Sequence, residues 1–331
     1  MNQSDSYFLP HVSILISTKD RRFDLEKALN SIKKINYPWE KFEIVVVEET
    51  DSPKPIEGVK YISIPKEGRG FGYTRNVAIK NASYKIVAFT DDDCIVDRDW
   101  LLELVQLFRD EEVAGVAGGV RLRDAGIIGK CEIILGFPGG GLKYLYYSRG
   151  IPYGTSHLST CNCAYRKKVF EEMGYFNEDT KYSGEDYELA LRVSQKYKCM
   201  YNPRAIVYHK PRGNISGIFK WFIRIGNTQL SIMNIDSSNY FKYLWWSFKT
   251  SLFLRAVLFY IFFSLFHIKT LIGFSVLLIL YWIFTVLRYS FYYLYYPELR
   301  IALVLPAVKL VMDTGMDVGK IEGVLRYWRR R

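Results

Sequence analysis

Four short apolar runs, each followed by charge, constrain this chain most. They are Val12 to Ser17 (VSILIS), Glu43 to Val47 (EIVVV), Tyr61 to Ile64 (YISI) and Lys85 to Phe89 (KIVAF), all rich in β-branched and aromatic residues. Between them the pattern predicts helices from about Leu25 to Ile35 and from about Tyr73 to Asn81. Strands that are apolar on both faces and alternate with helices build a parallel sheet covered on both sides. Ligands of such sheets bind beyond the carboxyl ends of the strands. Asp20 and Arg21 follow the first run, Glu48 and Glu49 the second, and Asp91, Asp92 and Asp93 the last. The topology alone therefore gathers these charges in one crevice.

Three consecutive carboxylates at the end of a buried strand repel one another and need hydration or a partner. A hard divalent cation supplies one. Mg²⁺ or Mn²⁺ prefers carboxylate oxygens and typically takes one or two of them together with substrate phosphates. Asp91 and Asp93 are two apart, so in an extended strand end they project to the same side. Asp97 and Asp99, just before Trp100, better suit a solvated helix cap. Upstream, EGRGFGYTRNVAI (Glu67 to Ile79) carries Gly68, Gly70 and Gly72, with Arg75 one helical turn further on. A glycine-rich loop that opens a helix is an anion site, or simply a cap. Its spacing is neither the Walker pattern nor G-x-G-x-x-G, which argues against a P-loop ATPase and a dinucleotide fold.

Taken in order, VSILISTKDR, EIVVVEETD, GRGFGYTRN, FTDDD and TCNCAYRKKVFEEMGYFNED with SGEDYELALRV resemble the family 2 glycosyltransferases, inverting GT-A enzymes that use nucleotide sugars. The resemblance runs from about Val12 to His209. It implies an α/β GT-A domain, Rossmann-like and mostly parallel with helices on both faces, over residues 1–235. It implies that Ser17, Thr18 and Glu48 hold the nucleoside, although Glu48, Glu49, Thr50 and Asp51 stand where the family usually has Asp-Asp-Gly-Ser. Arg75 and Asn76 match the family's Arg-Asn pair and fall to the donor. Asp91 and Asp93 match its D-x-D, with Asp92 between them, Asp91 towards the nucleotide and Asp93 towards metal and diphosphate. Asn162 matches a Gly-x-Asn segment near donor sugar and acceptor, with Thr160 in place of the glycine, and His209 matches a histidine that ligates metal or diphosphate in some relatives. The implied cofactor is Mn²⁺ or Mg²⁺ and the implied donor a UDP- or GDP-sugar.

Displacing a nucleoside diphosphate with inversion requires a base for the acceptor hydroxyl. Glu185 and Asp186 open a helix in SGEDYELALRV, where N-terminal helix charge would also be expected. The resemblance assigns the base to Asp186, with Glu185 the other candidate. A phosphate acceptor is already anionic and needs no such base. The motif therefore favours a hydroxyl of a lipid-linked glycan or glycolipid over a polyprenyl phosphate, the acceptor of dolichyl-phosphate-sugar synthases. The apolar, aromatic stretch GIIGKCEIILGFPGGGLKYLYYSRG suits a lipid-facing acceptor side as well as a core. A membrane-anchored, non-catalytic binding or scaffold protein on the same fold is the reading of another class, and such a protein would tolerate loss of Asp93 or Asp186. The Gln-x-x-Arg-Trp motif of processive synthases is absent, and Lys220 and Arg224 suit diphosphate, lipid or a basic amphipathic helix.

Composition changes beyond Tyr240, where Phe, Leu, Ile, Tyr and Trp become dense. Leu271 to Leu287 carries no charge and as a helix would be about 25 Å long. Ser251 to Phe266 is a second apolar stretch, and HIKT joins the two. The expectation is a membrane domain over 236–331, with transmembrane helices at about 251–267 and 270–288. Val304 to Trp328 then reads as an interfacial segment, since Pro306, Asp313, Asp317 and Glu322 make a third crossing costly. The start, MNQSDSYFLPHV, lacks the pattern of a signal peptide. Basic residues flank the hairpin, so the catalytic domain is expected on the cytosolic side of the cell membrane. The formal charge of +11 favours anionic partners. It lacks the concentrated basic face or motif of a nucleic-acid binder, so no nucleic acid is expected. Five unevenly spaced cysteines read as reduced and structural.

Overall fold

The computed structural model describes residues 7–179, 183–232 and 269–329, together with Tyr260. Contacts divide the chain into two compact units. The first comprises 1–123, 136–181 and 185–210, and the second 124–135, 182–184 and 211–331.

The first unit is built on one mixed sheet. Strand β1 (Val12–Thr18) lies between β2 (Phe42–Glu49) and β4 (Ile86–Thr90), and β3 (Lys60–Ile64) flanks β2, all parallel. Helices α1 (Arg22–Ile32) and α2 (Phe71–Asn81) connect them. This half matches the expected order, with strands and helices within a few residues of the predicted positions.

The other half departs from it. Beyond β4 the order continues through β8 (Asn162–Arg166), β6 (Val113–Leu122), β9 (Lys198–His209) and β5 (Cys94–Val96), with the short β7 (Tyr153–Gly154) on β9. β8 is antiparallel to both β4 and β6, and β5 and β7 are antiparallel to β9, while β6 and β9 are parallel. The sheet is therefore mixed rather than mostly parallel. The antiparallel return of β8 brings Asn162 opposite Thr90, beside the aspartates.

Phe89, Tyr165, Phe170 and Phe176 pack as a set of edge-on and tilted rings beneath β4. Large buried rings of this kind supply much of a core's apolar burial. They fix the strand whose end carries the aspartates. All five cysteines are buried and unpaired, as expected.

A bulge in β9 has its own fastener. Gly118 of β6 faces Asn202, but Gly119 faces Ile206, so the intervening residues leave the ladder. The Asn162 amide donates to the carbonyls of Gly119 and Ala205, both at 2.8 Å, and accepts from the Trp100 indole at 2.8 Å. A Cβ on Gly118 would lie 2.3 Å from that amide, which is why glycine stands there. Asn162→Ala would strand two carbonyls and an indole N–H in the interior, at about 1–3 kcal/mol for each group. Urea unfolding of the full chain should therefore show a loss of roughly 3 kcal/mol. A loss below about 1 kcal/mol would mean that water replaces the amide.

In the second unit, α8 (Ile215–Ile232) packs on a long helix, α10 (Leu299–Arg329), which also touches α4 (Ile127–Ile134). α3 (Trp100–Gln106), α5 (Gly141–Ser148), α6 (Lys168–Met173) and α7 (Glu185–Lys196) complete the helices of the first unit. Gly226 and Gly319 allow backbone-close contact, since a Cβ at either would sit 2.1 Å from a carbonyl of the other helix. The segment from Val304 is thus part of a helix packed on α8. Ile301, Leu305, Val308 and Met312, spaced four, three and four apart, form its buried stripe. Within it Lys309 pairs with Asp313 and Asp317 with Lys320.

The remaining helix, α9 (Lys269–Arg288), covers the second apolar stretch, and the first lies outside the described residues except for Tyr260. Among the described residues no helix is long and apolar enough to cross a membrane, so the expected pair of spanning helices is unsupported. α9 nonetheless exposes Leu277, Ile279, Leu280, Ile283, Phe284 and Leu287.

Candidate active site

The turn after β4 places the three aspartates in different environments. Asp92 turns inward and is buried. It accepts from the Thr18 hydroxyl at 2.7 Å and from Arg21 at 3.2 Å. Burial pushes its carboxyl up to about 6, against the pull of Thr18 and Arg21. Arg21 also reaches Asp93 at 3.1 Å. Asp91 and Asp93 both face His209.

His209 reaches this point because β5 and β9 pair antiparallel, with Cys94 opposite His209. Its Nδ1 lies 2.7 Å from the Lys210 carbonyl, which can only accept, so Nδ1 carries the hydrogen. In the neutral ring, Nε2 then presents a lone pair 3.4 Å from an Asp93 oxygen and 3.9 Å from an Asp91 oxygen. With Nε2 unprotonated, a cation between these three acceptors would satisfy them together. Two carboxylates and one imidazole make a donor set suited to Mn²⁺ and acceptable to Mg²⁺, and the Lys210 carbonyl orients the imidazole as outer partners of metal ligands do. Cys94 lies within the same cluster. Burial drives its thiol well up, which keeps it protonated and a poor ligand for a hard ion.

Arg75 ties this turn to helix α7. Its buried guanidinium pairs with Glu185 and lies 3.5 Å from Asp91. Burial drives the Asp91 carboxyl up, and the Arg75 charge pulls it back. Burial likewise raises Glu185, opposed by Arg75, and its second oxygen has no hydrogen-bond partner. Across the cluster, four carboxylates face two guanidiniums, which leaves room for a divalent cation.

Burial and partners separate Glu185 from Asp186. The buried residues of α7 are Glu185, Leu189, Ala190 and Val193, so Glu185 points inward. Asp186, four residues before Ala190, borders that face and is half-buried. One of its oxygens accepts from the Ser159 hydroxyl at 3.1 Å and the Thr160 N–H at 3.4 Å, and the other from the Tyr187 N–H at 2.8 Å. Glu185 is thus a buried counter-ion of Arg75, while half-buried Asp186 accepts three hydrogen bonds and keeps about one acceptor position on Oδ1.

Other expected contacts are committed elsewhere. Asn76 is buried, bonded to both backbone groups of Phe176 and to Glu178, with no donor left for a ligand. Asn162 is consumed by the β9 bulge. The Thr18 hydroxyl serves Asp92, which leaves Ser17 as the freer hydroxyl at that strand end. Glu48 is buried at the end of β2, accepting from the Tyr61 hydroxyl at 2.5 Å. Ser159 and Thr160 were not anticipated, because nothing in local spacing ties them to Asp186.

Residues 13–174 match the model of the family described as Glycosyl transferase family 2. The match covers 162 of the chain's 331 residues, just under half. Among relatives, the glycosyltransferase AglE of Haloferax volcanii is 24% identical over 237 residues, covering 69% of this chain and 76% of AglE. The poly-beta-1,6-N-acetyl-D-glucosamine synthase of Staphylococcus epidermidis is 23% identical over 225 residues, covering 64% of this chain. The chain spans about half of that synthase (53%). The mannosyltransferase PcManGT of Pyrobaculum calidifontis, solved in complex with GDP-Man and Mn2+, superposes with a TM-score of 0.65 at 17% identity, covering 96% of this chain and 88% of the other. At that identity the likeness establishes the GT-A-like fold of the transferase and nothing finer.

Proposed function

We propose that this chain transfers a sugar from a nucleoside diphosphate sugar, with inversion, to a hydroxyl of a lipid-linked glycan or glycolipid. The convergence of Asp91, Asp93 and His209 on one point, with Asp186 held at the same crevice, carries the reading. Ser17 and Glu48, at adjacent strand ends, suit the nucleoside. A Mn²⁺ or Mg²⁺ ion on Asp91, Asp93 and His209 would neutralise charge developing on the leaving diphosphate. The complex of PcManGT with GDP-Man and Mn2+ favours this choice of donor class and ion.

Asp186 takes the proton from the acceptor hydroxyl as its oxygen forms a bond to the anomeric carbon. The bond from that carbon to the diphosphate oxygen breaks on the opposite face, and its electron pair leaves with the diphosphate. Ser159 and Thr160 hold one oxygen of the carboxylate, and the other, which also accepts from the Tyr187 N–H, keeps a lone pair for the proton. Arg75 bridges Glu185 and Asp91 and so ties the aspartate turn to α7. A polyprenyl-phosphate acceptor would leave Asp186 without work, and a non-catalytic scaffold would not need the whole constellation.

We place the reaction at the cytosolic face of the cell membrane, where a lipid-linked acceptor presents its sugar. The exposed apolar side chains of α9 favour contact with lipid. The test is transfer in vesicles that contain glycolipid acceptors, with a panel of GDP- and UDP-sugars and Mn²⁺. Expected are glycosylated lipid and co-flotation of the chain with the vesicles. Transfer only to polyprenyl phosphate would overturn the acceptor class. A chain that never floats would overturn the location.

A further inference from the structure

We infer that Tyr187 and His157 form the acceptor subsite, in which one neutral pyranose ring stacks on the exposed face of Tyr187 beside Asp186. The inference rests on the reading of Asp186 as the base. Tyr187 follows Asp186 in α7 and donates its N–H to that carboxylate. The residue is 45% exposed, so a ring face is open to a ligand. The His157 ring lies 6.4 Å away at 49°, Tyr144 stands edge-on to His157 at 5.5 Å, and Tyr144 rests edge-on against the buried Tyr201 at 5.7 Å. A row of rings thus runs from the buried Tyr201 to the exposed Tyr187, whose backbone N–H is bonded to Asp186.

The row and the base share one mounting. Thr155 accepts from the His157 N–H at 3.1 Å, closing a tight turn in the loop that supplies Ser159 and Thr160 to Asp186. Burial pulls the His157 imidazole down, with Asp186 opposing, and so keeps the ring neutral near pH 7. The chemistry selects the ligand. An aromatic face carries negative quadrupole density, which attracts the polarised C–H bonds on one face of a pyranose and repels a phosphate. Asp186 beside it adds to that repulsion. A glycan hydroxyl is therefore accommodated here, and a bare lipid phosphate is not.

Saturation-transfer NMR on the full chain with Mn²⁺ and GDP or UDP tests this without turnover. The probes are methyl glycosides of glucose, galactose, mannose and N-acetylglucosamine. At least one should receive saturation on the C–H protons of one ring face. Tyr187→Ala should weaken that binding roughly tenfold, the upper range for one aromatic contact, and Tyr187→Phe or Tyr187→Trp should retain it. Absence of glycoside binding, binding unchanged in the Ala variant, or displacement of the glycoside by farnesyl phosphate would each overturn the subsite. Nucleotide binding measured on the same wild-type sample reports the donor site separately. Its loss would count against the proposed transferase reaction, whereas a failed glycoside result beside intact nucleotide binding would sink only the subsite.

Discussion

Asp186→Asn should lower kcat by about 10²- to 10⁴-fold, the range for removal of a general base, and leave nucleotide affinity nearly intact. The amide preserves shape and still offers an oxygen to Ser159 and Thr160, but it cannot take the acceptor proton. Glu185→Gln should behave differently. Glu185 lies on the buried stripe of α7 and is the principal counter-ion of Arg75, so neutralising it leaves a buried guanidinium with only Asp91. Breaking a buried pair from one side costs about 3–5 kcal/mol, so this variant should show a clear fall in Tm whatever its residual rate. The two substitutions thus separate chemistry from architecture. If Glu185→Gln alone abolished turnover without loss of stability, and Asp186→Asn remained active, the base would be the wrong carboxylate.

The sequence exposed those parts of the molecule whose causes are local. Runs such as VSILIS and EIVVV announce buried strands because every side chain in them is apolar or β-branched, and the charges that follow mark strand ends. The aspartate turn was legible for the same reason. What stayed hidden depends on partners far along the chain. Arg75 reads as a donor ligand until Glu185, 110 residues later, is seen to occupy it. Asn162 reads as a site residue until the β9 bulge supplies two carbonyls that only its amide satisfies. β6, a run of Ala, Gly and Val, gives little strand signal. Its glycines are set by what crosses them. The packing of α10 escaped because acidic residues and Pro306 dominate its appearance, while its buried stripe of Ile301, Leu305, Val308 and Met312 is a periodicity rather than a run.

The central claim is that Asp91, Asp93 and His209 hold a divalent ion through which the donor diphosphate is bound. Calorimetric titration of GDP and UDP into the full chain, with Mn²⁺ and again with EDTA, tests it most directly, with Asp93→Asn run alongside. One nucleotide should bind with Mn²⁺ and lose at least about tenfold in affinity in EDTA, the scale of one lost charge-assisted contact. Asp93→Asn should show the same weak binding in both conditions, because the ion no longer has its second carboxylate. Equal affinity with Mn²⁺ and EDTA, or an Asp93→Asn variant that binds in Mn²⁺ as tightly as the wild type, would contradict the account.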